Sequence, residues 1–305
     1  MSTRPLDLLD LSTLYRYRGE AVSLDTARFL TRGNPLGARS FLSHFNPGRH
    51  IYTAVGGENS TPLLGSVIHT NGDSFARLLY LAPHADLAHP GLPALIEHLS
   101  VEAGKWGTFH VLAEVDEGSG AYRALRLAGF SVYAWQRLWD VSGLEAKVNP
   151  AGWRPMRDVD LPAMQSFHYQ IVPQLIHPIE PPPQKSDGLV CCSEGMRGYV
   201  SITQGPAGIV MTPFIHPEVA SPAEKLALLP SLPGRRGRPV YLRVRSYQAW
   251  LEPVLEDLGA RASERQAVMV KHLVRSIKEE QTVPAVRSAV SIQPSRVSRI
   301  QKRGS

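Results

Sequence analysis

One stretch constrains the fold of this chain more than any other, Phe109–Trp139. Its apolar run His110–Val115 reads as a buried strand, Ser119–Leu127 as a short helix, and Ser131–Trp139 alternates with the two-residue period of a closing strand. Gly129-Phe130 makes the turn between helix and closing strand, since glycine enters the left-handed region without steric cost. A second stretch of the same design, Pro239–His272, lies near the other end of the chain. Gly129 and Gln136 are seven positions apart, and so are Gly259 and Gln266. Two copies of one strand–helix–strand unit at matched spacing predict a duplicated domain.

The segments ahead of each copy follow a common order. In the first half, Leu11–Arg18 alternates and predicts an opening strand. Val22–Leu30 has helical spacing, ended by Arg32-Gly33-Asn34-Pro35, and Leu36–Phe45 predicts a second short helix. Strands are expected at Ile51–Val55, Leu63–Thr70 and Phe75–Ala82, the last two joined by an Asn71-Gly72 hairpin turn. Pro90 suits the first turn of a helix reaching Gly104. In the second half, a strand at Trp153–Met156 precedes a helix capped by Asp158. The proline-rich Ile176–Asp187 cannot be a regular helix. Strands at Leu189–Ser193, Gly198–Thr203 and Gly208–Phe214 then lead to a helix opened by the capping box Ser221-Pro222-Ala223-Glu224. A meander followed by a helical crossover predicts an α/β chain, more narrowly an α+β mixed sheet with helices on both faces. The expected division is residues 1–145, residues 146–275, and a disordered basic tail over 276–305.

Composition removes several classes of function. No apolar run is long enough to span a bilayer, so no membrane partner is expected. The first twenty residues carry three acids and no uninterrupted apolar core, which argues against a secretory signal. The two cysteines, Cys191 and Cys192, are adjacent and form no disulfide framework, so a reducing cytoplasm is the expected compartment. Of the net charge of +6, most sits in residues 276–305, where six Lys or Arg face two Glu. That tail has no aromatic residue to stack on bases, so nucleic acid is not the expected partner beyond a weak contact there. The histidines show no metal-ligand spacing, and no metal is expected.

The order of elements, with Tyr80-Leu81-Ala82-Pro83 and Leu127-Ala128-Gly129-Phe130, resembles the GNAT N-acetyltransferase family. The resemblance implies two tandem acyl-CoA N-acyltransferase-like domains. It further implies that acetyl-CoA lies where the fourth and fifth strands splay apart. Leu79, Tyr80 and Leu81 would then pair with its pantetheine arm, or Met211–Phe214 in the second half. The family's phosphate loop carries Arg or Gln followed by glycines, where this chain has Asp86, Leu87 and His89, with Gly91 remaining. His89 and Gly91 therefore stand as the cofactor-binding candidates of that loop. The family's general acid, a tyrosine, is replaced by Leu125 and Leu255. Tyr122, one helical turn away, is the substitute acid, and Glu114 is the candidate base. Two functions follow as alternatives. One is acetyl-CoA-dependent N-acyl transfer to a small-molecule or peptide amine, with the first half active. The other is a catalytically silent scaffold of the same fold that binds a partner or small ligand.

Overall fold

A computed structural model describes residues 3–37, 48–57, 62–144, 152–191, 195–231 and 235–273. Most of the helix expected over Leu36–Phe45, Cys192 and the whole tail 276–305 lie outside the described residues. Met1–Val274 form one compact unit.

The first half runs β1 (Arg4–Pro5), α1 (Leu11–Arg16), β2 (Val22–Ser23), α2 (Thr26–Arg32), β3 (Arg49–Gly56), β4 (Leu63–Thr70) and β5 (Phe75–Ala82). It continues with α3 (Leu92–Lys105), β6 (His110–Asp116), α4 (Gly120–Leu127) and β7 (Ser131–Asp140). The second half repeats the plan. Its elements are β8 (Arg154–Pro155), α5 (Leu161–Ile171), β9 (Gly188–Cys191), β10 (Gly198–Gln204) and β11 (Ile209–Ile215). After them come α6 (Pro222–Leu228), β12 (Val240–Arg245), α7 (Leu251–Asp257), β13 (Arg261–Ala262) and β14 (Gln266–His272). The meander strands lie where alternation and turn residues place them. Gly72 and Gly129 adopt φ of 96° and 86°, which L side chains rarely tolerate.

Among the described residues, fourteen strands belong to one mixed sheet, and its order explains how the halves are joined. Reading across, the main path is β1-β3-β4-β5-β6-β14-β7-β12-β11-β10-β9-β8. The last strand of each half has crossed into the other. β14 pairs antiparallel with β6 over Gln266–His272, while β7 pairs antiparallel with β12 from Gln136 to Asp140. The cores follow the strands. Ala267 and Met269 of β14 are buried among Leu95, Leu99 and Phe130 of the first half. Trp139 of β7 is fully buried with Val240, Leu242 and Leu251 of the second. The exchange thus crosses the expected division at 145/146.

Four local expectations are corrected. Leu11–Arg18 is not a strand but α1 followed by a 3-10 turn, Tyr17–Gly19. Only Leu14 and Tyr17 of that stretch are buried, a spacing of three that belongs to a helix. The helix expected from Val22 begins later, because Val22–Ser23 is paired as a strand and Asp25 caps α2 by accepting from Arg28 N at 3.1 Å. Pro90 precedes α3 rather than opening it, and Pro93 takes the early position. Neither predicted cap of the second half forms as read. Ser221 sits at φ 50° with no side-chain cap, and Asp160, not Asp158, accepts the free amide of Arg157 at 2.8 Å.

A second repeat becomes visible only in the structure. Arg4 grips Asp10 through two bonds of 2.7 Å, and Asp10 accepts Asp7 N at 2.9 Å. Arg154 grips Asp160 through bonds of 2.6 and 2.7 Å, with Arg157 N in the matching role. The hydrogen bond from the arginine is the main cause holding each carboxyl below its ordinary value. Asp10→Ala and Asp160→Ala are each expected to lower Tm by a few degrees, and additively together, because the sites share no partners. Thermal melts of the two single variants and the double variant measure this. A non-additive double variant would contradict the independence of the two sites.

Candidate functional site

The two parallel strand pairs of the sheet splay apart. β5 and β6 pair only at Phe75–Arg77 against His110–Leu112, and β11 and β12 only at Ile209–Met211 against Val240–Leu242. Beyond those registers each pair leaves strand edges whose amides and carbonyls need partners.

In the first half the partner is the chain itself. β2 pairs antiparallel with β5, setting Val22 against Leu81 and Ser23 against Tyr80. Leu24 completes the bridge, its N–H donating to Leu79 O at 2.9 Å and its carbonyl accepting from Glu114 N at 2.8 Å. Glu20 O accepts from His84 N at 2.8 Å, extending the contact to the end of β5. The Leu24 side chain is 1% exposed and belongs to the first core. The edge formed by Leu79, Tyr80 and Leu81 is therefore occupied by Val22–Leu24.

The loop after β5 is equally self-contained. Gly91 N donates to His89 Nδ1 at 3.0 Å, His89 N to Asp86 O at 2.9 Å, and Leu92 N to His89 O at 3.0 Å. The amides of His89 and Gly91 thus serve their own turn rather than facing outward for a phosphate. Leu87 is buried against Gly120, where a Cβ would meet it at 3.1 Å. Tyr122 is half-buried and packs on the first core.

In the second half the edge is closed by side-chain chemistry. Ile215 N donates to Gln248 Oε1 at 3.0 Å. Pro213, two positions earlier on the same edge, has no N–H to offer. Gln248 is buried at 2% exposure.

Glu114 lies at the centre of a charged cluster that joins the halves. Its Oε2 accepts from Thr26 N at 3.1 Å. Its Oε1 faces three guanidinium groups, Arg243 at 3.3 Å, Arg245 at 3.8 Å and Arg77 at 4.0 Å. Burial pushes the carboxyl up, but Arg243, Arg245 and Arg77 outweigh it and hold the pKa down at about 2. A carboxylate so stabilised is a weak proton acceptor at neutral pH. Glu180 supports the same cluster. It pairs with Arg245 at 2.8 Å and accepts from Tyr133 at 2.9 Å and Tyr247 at 2.6 Å.

Two cavities open beside the cluster, one of about 220 Å³ and one of about 460 Å³, with Arg77 and Arg243 in the wall of both. Glu114 and Tyr122, the expected base and acid, are not brought together at either: neither lines them. The residues that matter most at this place, Leu24, Arg77, Arg243, Arg245 and Glu180, were not singled out by sequence. One signal was present. Arg243 and Arg245 interrupt Val240–Arg245, a central parallel strand of the kind that normally reads as continuous apolar sequence.

The fold as a whole is similar to that of a known structure. The chain is similar to a GCN5-related N-acetyltransferase from Sphaerobacter thermophilus, with a TM-score of 0.56, 13% identity, and 89% of this chain and 95% of that chain covered. The fold is that of the GNAT N-acetyltransferases. Other similar structures are a tandem GNAT protein from the clavulanic acid biosynthesis pathway (TM-score 0.49, 15% identity, 89% of this chain and 98% of that chain) and a GNAT acetyltransferase from Colwellia psychrerythraea (TM-score 0.45, 14% identity, 90% and 100%). No family model and no curated protein matches the sequence. The first splay, where the resemblance led acetyl-CoA to be expected, is the one that Val22–Leu24 fills. Among the described residues, no helix is long and apolar enough to cross a membrane.

Proposed function

We propose that this chain is a GNAT-fold binding protein in which residues 1–145 and 146–275 jointly frame a cleft for a small ligand, and in which the first half does not turn over acetyl-CoA. The observation that carries the reading is Leu24, which bonds to both walls of the first splay and buries its side chain there. A pantetheine arm would have to expel a paired strand and a core leucine to reach Leu79, Tyr80 and Leu81. The consumed amides of His89 and Gly91 and the low pKa of Glu114 support the same conclusion. Tyr122 acts in this reading as a packing residue.

Melting is measured with acetyl-CoA and with an adenosine bisphosphate lacking the pantetheine arm, alongside thiol release over a panel of amines. Acetyl-CoA is expected to stabilise the chain no more than the nucleotide does, and no thiol is expected. A pantetheine-dependent rise in Tm, or amine-dependent thiol release, would overturn the proposal.

The GNAT fold supports acyl transfer in general, and one observation favours a second reading. Thr212 and Phe214 of β11, beside the second splay, line the larger cavity. On that reading residues 146–275 carry the transfer from acetyl-CoA to a small-molecule or peptide amine, in the cytoplasm. Thiol release that disappears in Ser201→Trp, which blocks the cavity wall, would establish it.

A further inference from the structure

The wall shared by the two cavities is unusually cationic. Arg77, Arg243, Asp73 and Phe75 line both. Across the two, seven lining side chains are cations and four are carboxylates. The four are Asp25, Asp73, Glu180 and Asp187, and two of them, Asp25 beside Arg77 and Glu180 beside Arg245, also serve other partners. Asp25 caps α2, and Glu180 holds Arg245, Tyr133 and Tyr247. Glu114, beneath the wall, offers one oxygen to three guanidinium groups. Arg243 is 16% exposed at its side chain and Arg77 29%, so neither is fully hydrated. Burial first, and then Arg245, draw the Arg243 guanidinium below its ordinary value, whereas Asp25 and Glu114 hold Arg77 above its own. Burial likewise pushes the Asp73 carboxyl up, against the pull of Arg77, His69 and Lys185. A buried cation without full compensation is unfavourable until an anion joins it.

The two cavities differ in the rest of their walls. The smaller adds Arg49, Arg32, Thr31 and Thr70. The larger adds Ile179, Pro181, Ile202, Tyr199 and Phe214. One side is suited to a charged head and the other to an apolar body.

We infer that the cleft binds a small organic anion whose oxyanion head, a phosphate or a carboxylate, sits against Arg77, Arg243 and Arg49 in the smaller cavity, while an apolar or aromatic body passes Phe75 into the larger. The guanidinium fork matches both head groups through paired N–H donors. A cavity of about 460 Å³ is of the size that encloses a small-molecule body. The inference rests on the binding-protein reading only in taking this cleft as the site. It stands whether or not acetyl-CoA is bound elsewhere.

The full chain is titrated with phenyl phosphate and with phenylacetate at fixed ionic strength, using benzyl alcohol as the uncharged control, by calorimetry and thermal melting. At least one aryl anion is expected to bind saturably and raise Tm by several degrees, with no response to benzyl alcohol. Binding of phenyl phosphate alone assigns a phosphate head, phenylacetate alone a carboxylate head, and both a site that reads charge. Arg49→Gln lies outside the Glu114 cluster and leaves it intact. It is expected to weaken the binding roughly tenfold, the loss of a charge-assisted hydrogen bond. Arg243→Lys keeps the charge but removes the fork, and is expected to weaken it similarly. Absence of saturable binding by either anion, or affinity unchanged in Arg49→Gln, would overturn the inference. Acetyl-CoA turnover, the result that would defeat the binding-protein reading, would leave this one in place.

Discussion

Glu114→Gln is expected to destabilise the folded chain by about 3–5 kcal/mol at neutral pH, the effect of removing one partner from a buried ion cluster. The substitution keeps an oxygen for Thr26 N but withdraws the charge that Arg243, Arg245 and Arg77 share. Asp25 remains to act on Arg77, and Glu180 on Arg243 and Arg245, but the one carboxylate shared by all three guanidinium groups is lost. Denaturant unfolding of the two proteins at neutral pH reads the difference as a shift in midpoint. Equal midpoints would refute the cluster as a determinant of stability. The pH dependence has a defined sign. The folded carboxyl is held at about 2, below its ordinary value of 4.5. Its contribution is therefore complete above the unfolded value and is lost as pH falls from there toward about 2. The parent chain is expected to lose this share of its stability over that acid window, and Glu114→Gln to show no matching loss.

Leu24→Ala is expected to lower stability by about 2–5 kcal/mol, the range for truncating a fully buried leucine. The side chain fills the space between the splayed strands, next to the core built by Leu95, Leu99 and Leu125. Its removal leaves a void that β5 and β6 cannot close, since their registers are fixed at Phe75–Arg77 and His110–Leu112. The backbone bonds to Leu79 and Glu114 are retained, so the effect isolates packing from hydrogen bonding. Amide exchange gives an independent reading. The N–H groups of Leu24 and Glu114 are expected to exchange only through global opening in the parent and through local opening in the variant. Fast exchange at Leu24 in the parent would mean that the splay is only loosely filled, and would reopen it to a cofactor.

The elements most legible in the sequence are those whose cause is local. Leu63–Thr70 and Phe75–Ala82 have the expected bounds, because alternation, apolar runs and flanking turn residues act within one strand. The turns at Gly72, Gly129 and Gly259 were readable for the same reason, each glycine lying at positive φ. The duplicated order of elements, and through it the GNAT fold, followed from these. The opening helix was misread because Tyr15-Arg16-Tyr17-Arg18 alternates in residue type, while the buried residues, Leu14 and Tyr17, are three positions apart.

Of the candidate residues, the sequence showed the elements that carry them and not their surroundings. Leu79, Tyr80 and Leu81 lie on β5, His89 and Gly91 in the loop after it, and Glu114 on β6. What occupies the edge and surrounds the carboxylate was hidden. Val22–Ser23 is a two-residue strand, too short to show any period.

Residue pattern alone determined that the chain would build two like-ordered sets of strands and helices, because side-chain alternation and turn chemistry are properties of neighbouring residues. Tertiary structure decided that β7 and β14 would change places, that Leu24 would fill the first splay, and that Arg77, Arg243 and Arg245 would converge on Glu114. A period of two states which face of a strand is buried but not which edge it joins. That choice depends on free edges and unpaired charges brought together from segments more than a hundred residues apart.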